Sequence, residues 1–92
     1  MLEKRSIKEG AINATYNSSN IKKTVYDESK KALVIIFNKG NMYMYQPVSE
    51  ELYEEFEKAE SQGKFFMDKI KKNSKITFIK LTKLKDFELN TF

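Results

Sequence analysis

The 92-residue sequence predicts a small α+β domain: a three- to four-stranded antiparallel sheet, two helices packed on one of its faces, and a C-terminal strand or extension. Three observations carry that prediction. Short β-branched and aromatic runs follow one another at 21–26, 32–38 and 42–46, each bounded by turn residues. From Ser49 onward the apolar spacing becomes helical, with Leu52, Phe56 and Ala59 at i, i+4 and i+7. The length suits one core, and no linker composition divides it, so residues 1–92 read as a single domain.

Residues 1–20 show little periodicity. Gly10 and the polar run Asn17-Ser18-Ser19-Asn20 read as loop. Ile21 to Tyr26 reads as a strand, and Asp27-Glu28-Ser29-Lys30 as the turn after it. Residues 32–38 are the strongest strand signal, a continuous apolar run between polar punctuation. Lys39-Gly40-Asn41 closes a hairpin onto Met42 to Gln46, and Pro47 ends that strand because proline donates no ladder hydrogen bond. Ser49 is the predicted N-cap of a helix over 50–61, with Glu50 and Glu51 in the first turn and Gly63 as its C-cap. A second helix is expected over 64–72 on the spacing of Phe66 and Ile70, then a strand over 75–81. Residues 83–92 keep Leu84, Phe87, Leu89 and Phe92 without one clear period. The predicted core sets Leu52, Phe56, Ala59, Phe66 and Ile70 against Leu33, Ile35, Phe37 and the tyrosine rings.

Composition narrows the chemistry. Charged residues make up 33% and hydrophobic ones 40%, a globular balance. Cysteine and histidine are both absent, which removes disulfides, thiol nucleophiles, histidine bases and the usual zinc ligands. The expectation is a non-enzymatic protein without cofactor or metal. No apolar run approaches the ~20 residues of a membrane span, and Met1-Leu2-Glu3-Lys4 does not open a signal peptide, so a cytoplasmic protein without membrane contact is expected. The net charge of +4 is unevenly spread: residues 46–63 carry −5, and residues 64–85 carry +7 from eight lysines against Asp68. Such a segment can serve as an electrostatic footprint.

Candidate binding residues follow from that map. Lys64, Lys69, Lys71, Lys72 and Lys75 are candidate nucleic-acid contacts to phosphate, against the simpler reading of a solvated lysine surface. Tyr43 and Tyr45 lie two apart and share one strand face. They can stack unpaired bases, as aromatics on RNA-reading sheets do, or pack in the core, and the core reading is preferred. The carboxylate pairs Glu50/Glu54 and Glu51/Glu55 read as a solvated helix face rather than an acid–base pair. Ser61-Gln62-Gly63-Lys64 lacks the spacing of a phosphate loop.

The order Ser19-x-Ile21, Val25-Tyr26-Asp27, Leu33-x-Ile35-x-Phe37, Gly40, Tyr43-x-Tyr45 and Ala59-x-Ser61-x-Gly63-x-x-Phe66-x-x-x-Ile70 resembles the KTSC domain over residues 17–72. That family takes its name from the C-terminal segment of some lysyl-tRNA synthetases and also occurs as small stand-alone bacterial and phage proteins. The resemblance implies a three-stranded antiparallel sheet followed by helices. It implies no established activity, with RNA binding as the suggested one. Two departures stand out. Pro47 precedes Val48 instead of following the valine, and the alternate strand positions Val34, Ile36, Met42 and Met44 are apolar where the family tends to polar residues. Both sheet faces are therefore apolar, and the extension 73–92 or a second subunit in a homodimer is expected to cover one of them. Two binding readings stay open: RNA, or a protein-interaction module for a host or bacterial protein, for example a phage-encoded accessory protein that binds or inhibits a host protein. Salt dependence separates them.

Overall fold

The computed structural model describes residues 2–81. Among them six strands form one antiparallel sheet in chain order: β1 (Leu2–Lys8), β2 (Ala11–Tyr16), β3 (Ile21–Asp27), β4 (Ala32–Phe37), β5 (Met42–Gln46) and β6 (Thr77–Leu81). Between β5 and β6 the chain builds helix α1 (Glu50–Lys58) and helix α2 (Gln62–Phe65), which continues as a π-helical turn over Phe66–Lys71. The α+β class is as expected, but the sheet has six strands, not three to four.

The extra strands come from residues 2–16, a stretch with little periodicity in which the sequence marks only Gly10 as loop. They form the hairpin β1–β2, closed by a two-residue turn with Glu9 at φ 53° and Gly10 at φ 81°. Two successive positive φ values are what a type I′ turn requires. After Leu2 every β1 residue is exposed, including Ile7, so this edge strand has no buried alternation for a period-2 pattern to reveal.

Pairing sets two faces. Ala14 and Ile12 oppose Thr24 and Tyr26, and Leu33 and Ile35 oppose Tyr45 and Tyr43, so all of these point to the helix side. There Tyr16, Tyr26, Leu33, Ile35 and Tyr45 form one core with Tyr53, Phe56, Phe66 and Ile70 from the helical layer. Leu52 packs against this core only partly buried, and Tyr53 takes the central place on α1. The opposite face holds a second cluster of Ala11, Val25, Ala32, Val34 and Leu81, with Ile36, Met42 and Met44 packed on it. From the extension, β6 adds to the sheet beside β5 and brings Leu81 into that cluster. Leu84, Phe87, Leu89 and Phe92, expected to help cover this face, lie outside the described residues, as do Lys83 and Lys85.

Local polar bonds fix the passage from sheet to helix. The Gln46–Pro47 peptide is cis, and Val48 is buried, its N–H donating to the Lys31 carbonyl at 2.8 Å. Tyr26 Oη donates to the Val48 carbonyl at 2.7 Å. Ser49 Oγ then accepts from the Leu52 N–H at 3.1 Å, the N-cap expected from sequence.

The helix boundaries differ from the expected ones. α1 ends at Ala59 in extended backbone, and Gly63 is not its C-cap but a buried residue inside α2. Ser61 caps α2, its Oγ accepting from the Lys64 N–H at 3.3 Å. Gln62 is fully buried, and its Nε2 donates to the carbonyls of Ala59 at 2.8 Å and Phe56 at 3.3 Å. That amide satisfies carbonyls at the end of α1 and lets α2 begin at once.

Candidate functional site

Strands β4, β5 and β6 on one side and α2 with its π turn on the other enclose a cleft of about 430 Å³. Its wall is aromatic. The Tyr43 ring meets Phe37 at 6.0 Å and Phe78 at 5.9 Å, near perpendicular at 75° and 72°. Tyr45 meets Phe66 edge-on at 5.1 Å and lies 5.8 Å from Phe78. Apart from the tilted Tyr45–Phe78 pair, these are the edge-to-face separations that aromatic quadrupoles favour. The strand register creates the group, because β6 pairs antiparallel with β5 and places Phe78 opposite Tyr45 and Lys80 opposite Tyr43.

The two tyrosines have different fates. Tyr45 is 5% exposed and forms the floor, and burial pushes its phenol up to about 12. Its position is a packed one, as the core reading holds. Tyr43 is half-buried, while Phe78 is 62% exposed at the mouth.

The rim is basic and amide-rich. Lys39 comes from the β4–β5 turn and Lys71 from the last π-helical residue, and among the described residues no Asp or Glu lines the cleft. Asn20, Asn38 and Asn41 complete the rim with Ser19. Asn38 Nδ2 donates to the Ser18 carbonyl at 2.8 Å, tying the β2–β3 loop to the β4–β5 turn. Gly63 lets α2 approach that loop: a Cβ there would stand 2.8 Å from Asn20 Nδ2.

Of the residues singled out from sequence, the structure brings Tyr43, Tyr45 and Lys71 together. The other lysines lie elsewhere. Lys64 and Lys69 line a shallower depression beside Glu60 and Asp68. Lys72 pairs with Asp68 at 4.0 Å, and Lys75 is exposed beyond the π turn. Sequence reasoning did not place Phe78, Lys39 or Asn41 in a site. The one available signal is an aromatic residue in the strand expected over 75–81, whose pairing partner the sequence does not specify.

Glutamates Glu50, Glu51, Glu54 and Glu55 are exposed on α1. Glu50 shares a hydrogen bond and like charge with Glu28, which raises its carboxyl above the usual range. Glu57 instead turns inward. Both its oxygens accept from Arg5 Nε at 3.1 Å, and Tyr53 Oη donates to it at 2.5 Å. Among the described residues no three His, Cys, Asp or Glu converge as metal ligands, and no helix is long and apolar enough to cross a membrane.

The architecture defines a class: a small antiparallel meander with a helical layer on one face, inserted before the last strand. The KTSC domain family model matches residues 17–73, and the chain belongs to that family. It is similar to the crystal structure of a KTSC domain protein from Yersinia pestis, with 33% identity, a TM-score of 0.67, and coverage of 75% of this chain and 94% of that one. No curated protein matches the chain. The matched segment includes Tyr43, Tyr45, Gly63, Phe66 and Lys71, whereas Phe78 comes from β6, beyond it.

Proposed function

We propose that this chain is a non-enzymatic binding module for single-stranded RNA, acting in the cytoplasm. The observation that carries the reading is the aromatic cleft whose charged lining, among the described residues, consists of Lys39 and Lys71. Bases are flat, apolar on their faces and tethered to phosphate, so a partly open aromatic wall beside lysines matches them in both respects. Lys64, Lys69, Lys72 and Lys75 are exposed outside the cleft and would supply further phosphate contacts to a longer strand. Duplex is the poorer fit, because a paired base keeps its faces inside the stack.

A second reading is a protein-interaction module, including a phage-encoded protein that binds or inhibits a host protein, or a homodimer. It is favoured by charge separation: Glu50, Glu51, Glu54 and Glu55 are exposed on α1, while the following helical turns are lysine-rich. Anisotropy with a labelled single-stranded RNA, read from about 50 to about 200 mM salt, separates the two. Affinity that falls steeply with salt supports RNA binding. Absence of binding at the low-salt end overturns it.

A further inference from the structure

We infer that the cleft is a site for one nucleotide unit, its base against Tyr43 and Phe78 and its phosphate at Lys71 and Lys39. This rests on the RNA reading and deepens it by stating what the cleft holds. Size comes first. At about 430 Å³ the cavity lies near the lower end of the ~300–1,000 Å³ range of small-ligand sites, enough for one unit and not for a strand of stacked bases.

The lining gives the chemistry. Phe37, Tyr45 and Phe66 are locked edge-to-face against one another or against Tyr43 and close the inner end. Phe78 is left largely open to solvent, so its ring still has surface to cover, and burying it against a second flat ring is favourable. Neither Lys39 nor Lys71 has an ion-pair partner among the described residues, whereas Lys72 is engaged by Asp68. An anion at the rim thus finds two lysines in the lining of one cleft, with no carboxylate among the described lining residues to compete. Asn41, at the mouth, offers an amide donor and acceptor to a base edge or sugar hydroxyl. An aromatic ring carrying a phosphate satisfies all three groups; an aliphatic ligand lacks the flat ring, and a cationic one is repelled by the two lysines.

The same chemistry is available from a free nucleoside monophosphate or from an unpaired nucleotide in RNA. The test titrates the full chain with AMP, with adenosine, with inorganic phosphate and with a short single-stranded oligoadenylate, following backbone amide shifts by NMR. Expected are shifts centred on Asn41, Gly63 and Lys71 for AMP, weaker binding of adenosine or phosphate alone, and displacement of the oligonucleotide from those amides by AMP. Phe78→Ala, at an exposed position that leaves the core intact, should weaken AMP roughly 5- to 100-fold, the scale of removing one stacked ring. Lys4→Gln with Lys8→Gln, exposed on the opposite edge strand β1, should leave AMP affinity unchanged. AMP binding without oligonucleotide binding keeps the inference, identifies a free nucleotide as the source, and overturns the RNA reading. Oligonucleotide binding that AMP does not displace, or that ignores Phe78→Ala, overturns the inference and leaves the RNA reading standing. Neither ligand binding overturns both.

Discussion

Tyr26 on β3 and Tyr53 on α1 stack face to face, their ring centroids 4.4 Å apart and their planes 5° from parallel. The two hydroxyls leave the stack in different directions, one to the Val48 carbonyl and one to the Glu57 carboxylate. The pair thus joins the sheet, the turn before α1 and the Arg5–Glu57 bridge in one unit, buried at the rings and open to solvent at Arg5. Phe56 stands beside it, fully buried, with Tyr16 edge-on at 5.4 Å. Phe56→Ala should cost on the order of 3–5 kcal/mol, as for other buried phenylalanines. Urea unfolding checks it, and a loss below about half a kcal/mol, typical of surface positions, would mean that α1 packs another face on the sheet.

Tyr53→Phe isolates the polar half of the same unit. It keeps the stack and removes the hydrogen bond to Glu57, whose side chain is only 11% exposed and retains Arg5. The expected cost is about 1–3 kcal/mol, the range for leaving a charged or buried acceptor with one bond fewer. Tyr53→Phe with Arg5→Gln should cost less than the sum of the single changes, because both act on one carboxylate. Urea unfolding of the three variants measures that difference.

The parts of this fold that were legible in the sequence are those where burial imposes a period. β3, β4 and β5 start and end within a residue of their expected limits because their turns carry Asp27, Gly40 and Pro47. The β1–β2 hairpin was illegible because β1 is an exposed edge and Glu9-Gly10 is a weaker turn signal than Asn-Gly or Asp-Gly. Gly63 resembled a C-cap because glycine commonly ends helices, yet here its lack of a side chain serves the close approach of Asn20. The cleft was half legible. Tyr43, Tyr45 and Lys71 stood out by residue type, but Phe78 enters only through the β5–β6 register, which no local pattern encodes.

Alkaline pH should loosen the helical layer. Burial pushes the Tyr16 and Tyr45 phenols up to about 12, and Tyr26 rises as far through burial and the charges of Glu28, Glu50 and Asp27. A raised folded-state pKa means that the folded protein holds these protons more tightly than the unfolded chain. Their contribution is complete below the ordinary phenol range and is lost as pH rises through about 12. Far-ultraviolet circular dichroism against pH should show unfolding in that window, accompanied by the appearance of phenolate absorbance in the same step. Phenolate forming fully at its ordinary pH with the fold intact would contradict the buried placement.

At the acidic end, Glu50 contributes through its neighbour Glu28. Glu50's carboxyl is raised first by its hydrogen bond with Glu28 and then by the like charge there, with Lys31 opposing. The folded state therefore favours the protonated Glu50 carboxyl, and that stabilisation is lost as pH rises through the raised value. Glu28→Gln removes the repulsion between two carboxylates while keeping a hydrogen-bonding side chain. It should raise the melting temperature at neutral pH and leave it unchanged at a pH below the ordinary carboxylate range. An equal effect at both pH values would assign the gain to something other than charge.

The two tyrosines separate binding from folding. Tyr45→Ala empties a site that is 5% exposed and packed on Phe66, so it should cost about 3–5 kcal/mol and reduce RNA binding only by unfolding the protein. Tyr43→Ala removes a half-buried ring from the cleft wall. It should cost less stability and weaken single-stranded RNA by about 1–3 kcal/mol in the folded protein. The lysines act by charge alone. Changing Lys69, Lys71, Lys72 and Lys75 together to Gln should lower the logarithmic salt slope of RNA binding by about 0.7 for each phosphate no longer neutralised, with the thermal transition preserved. Within that set Lys71 should matter most, since it alone of the four lines the cleft, and Lys72 least, since it lies outside the cleft with the Asp68 carboxylate 4.0 Å away. A fourfold variant with unchanged slope would place the RNA-binding surface on another face, and the protein-interaction reading would then rest on the same lysines meeting an acidic partner.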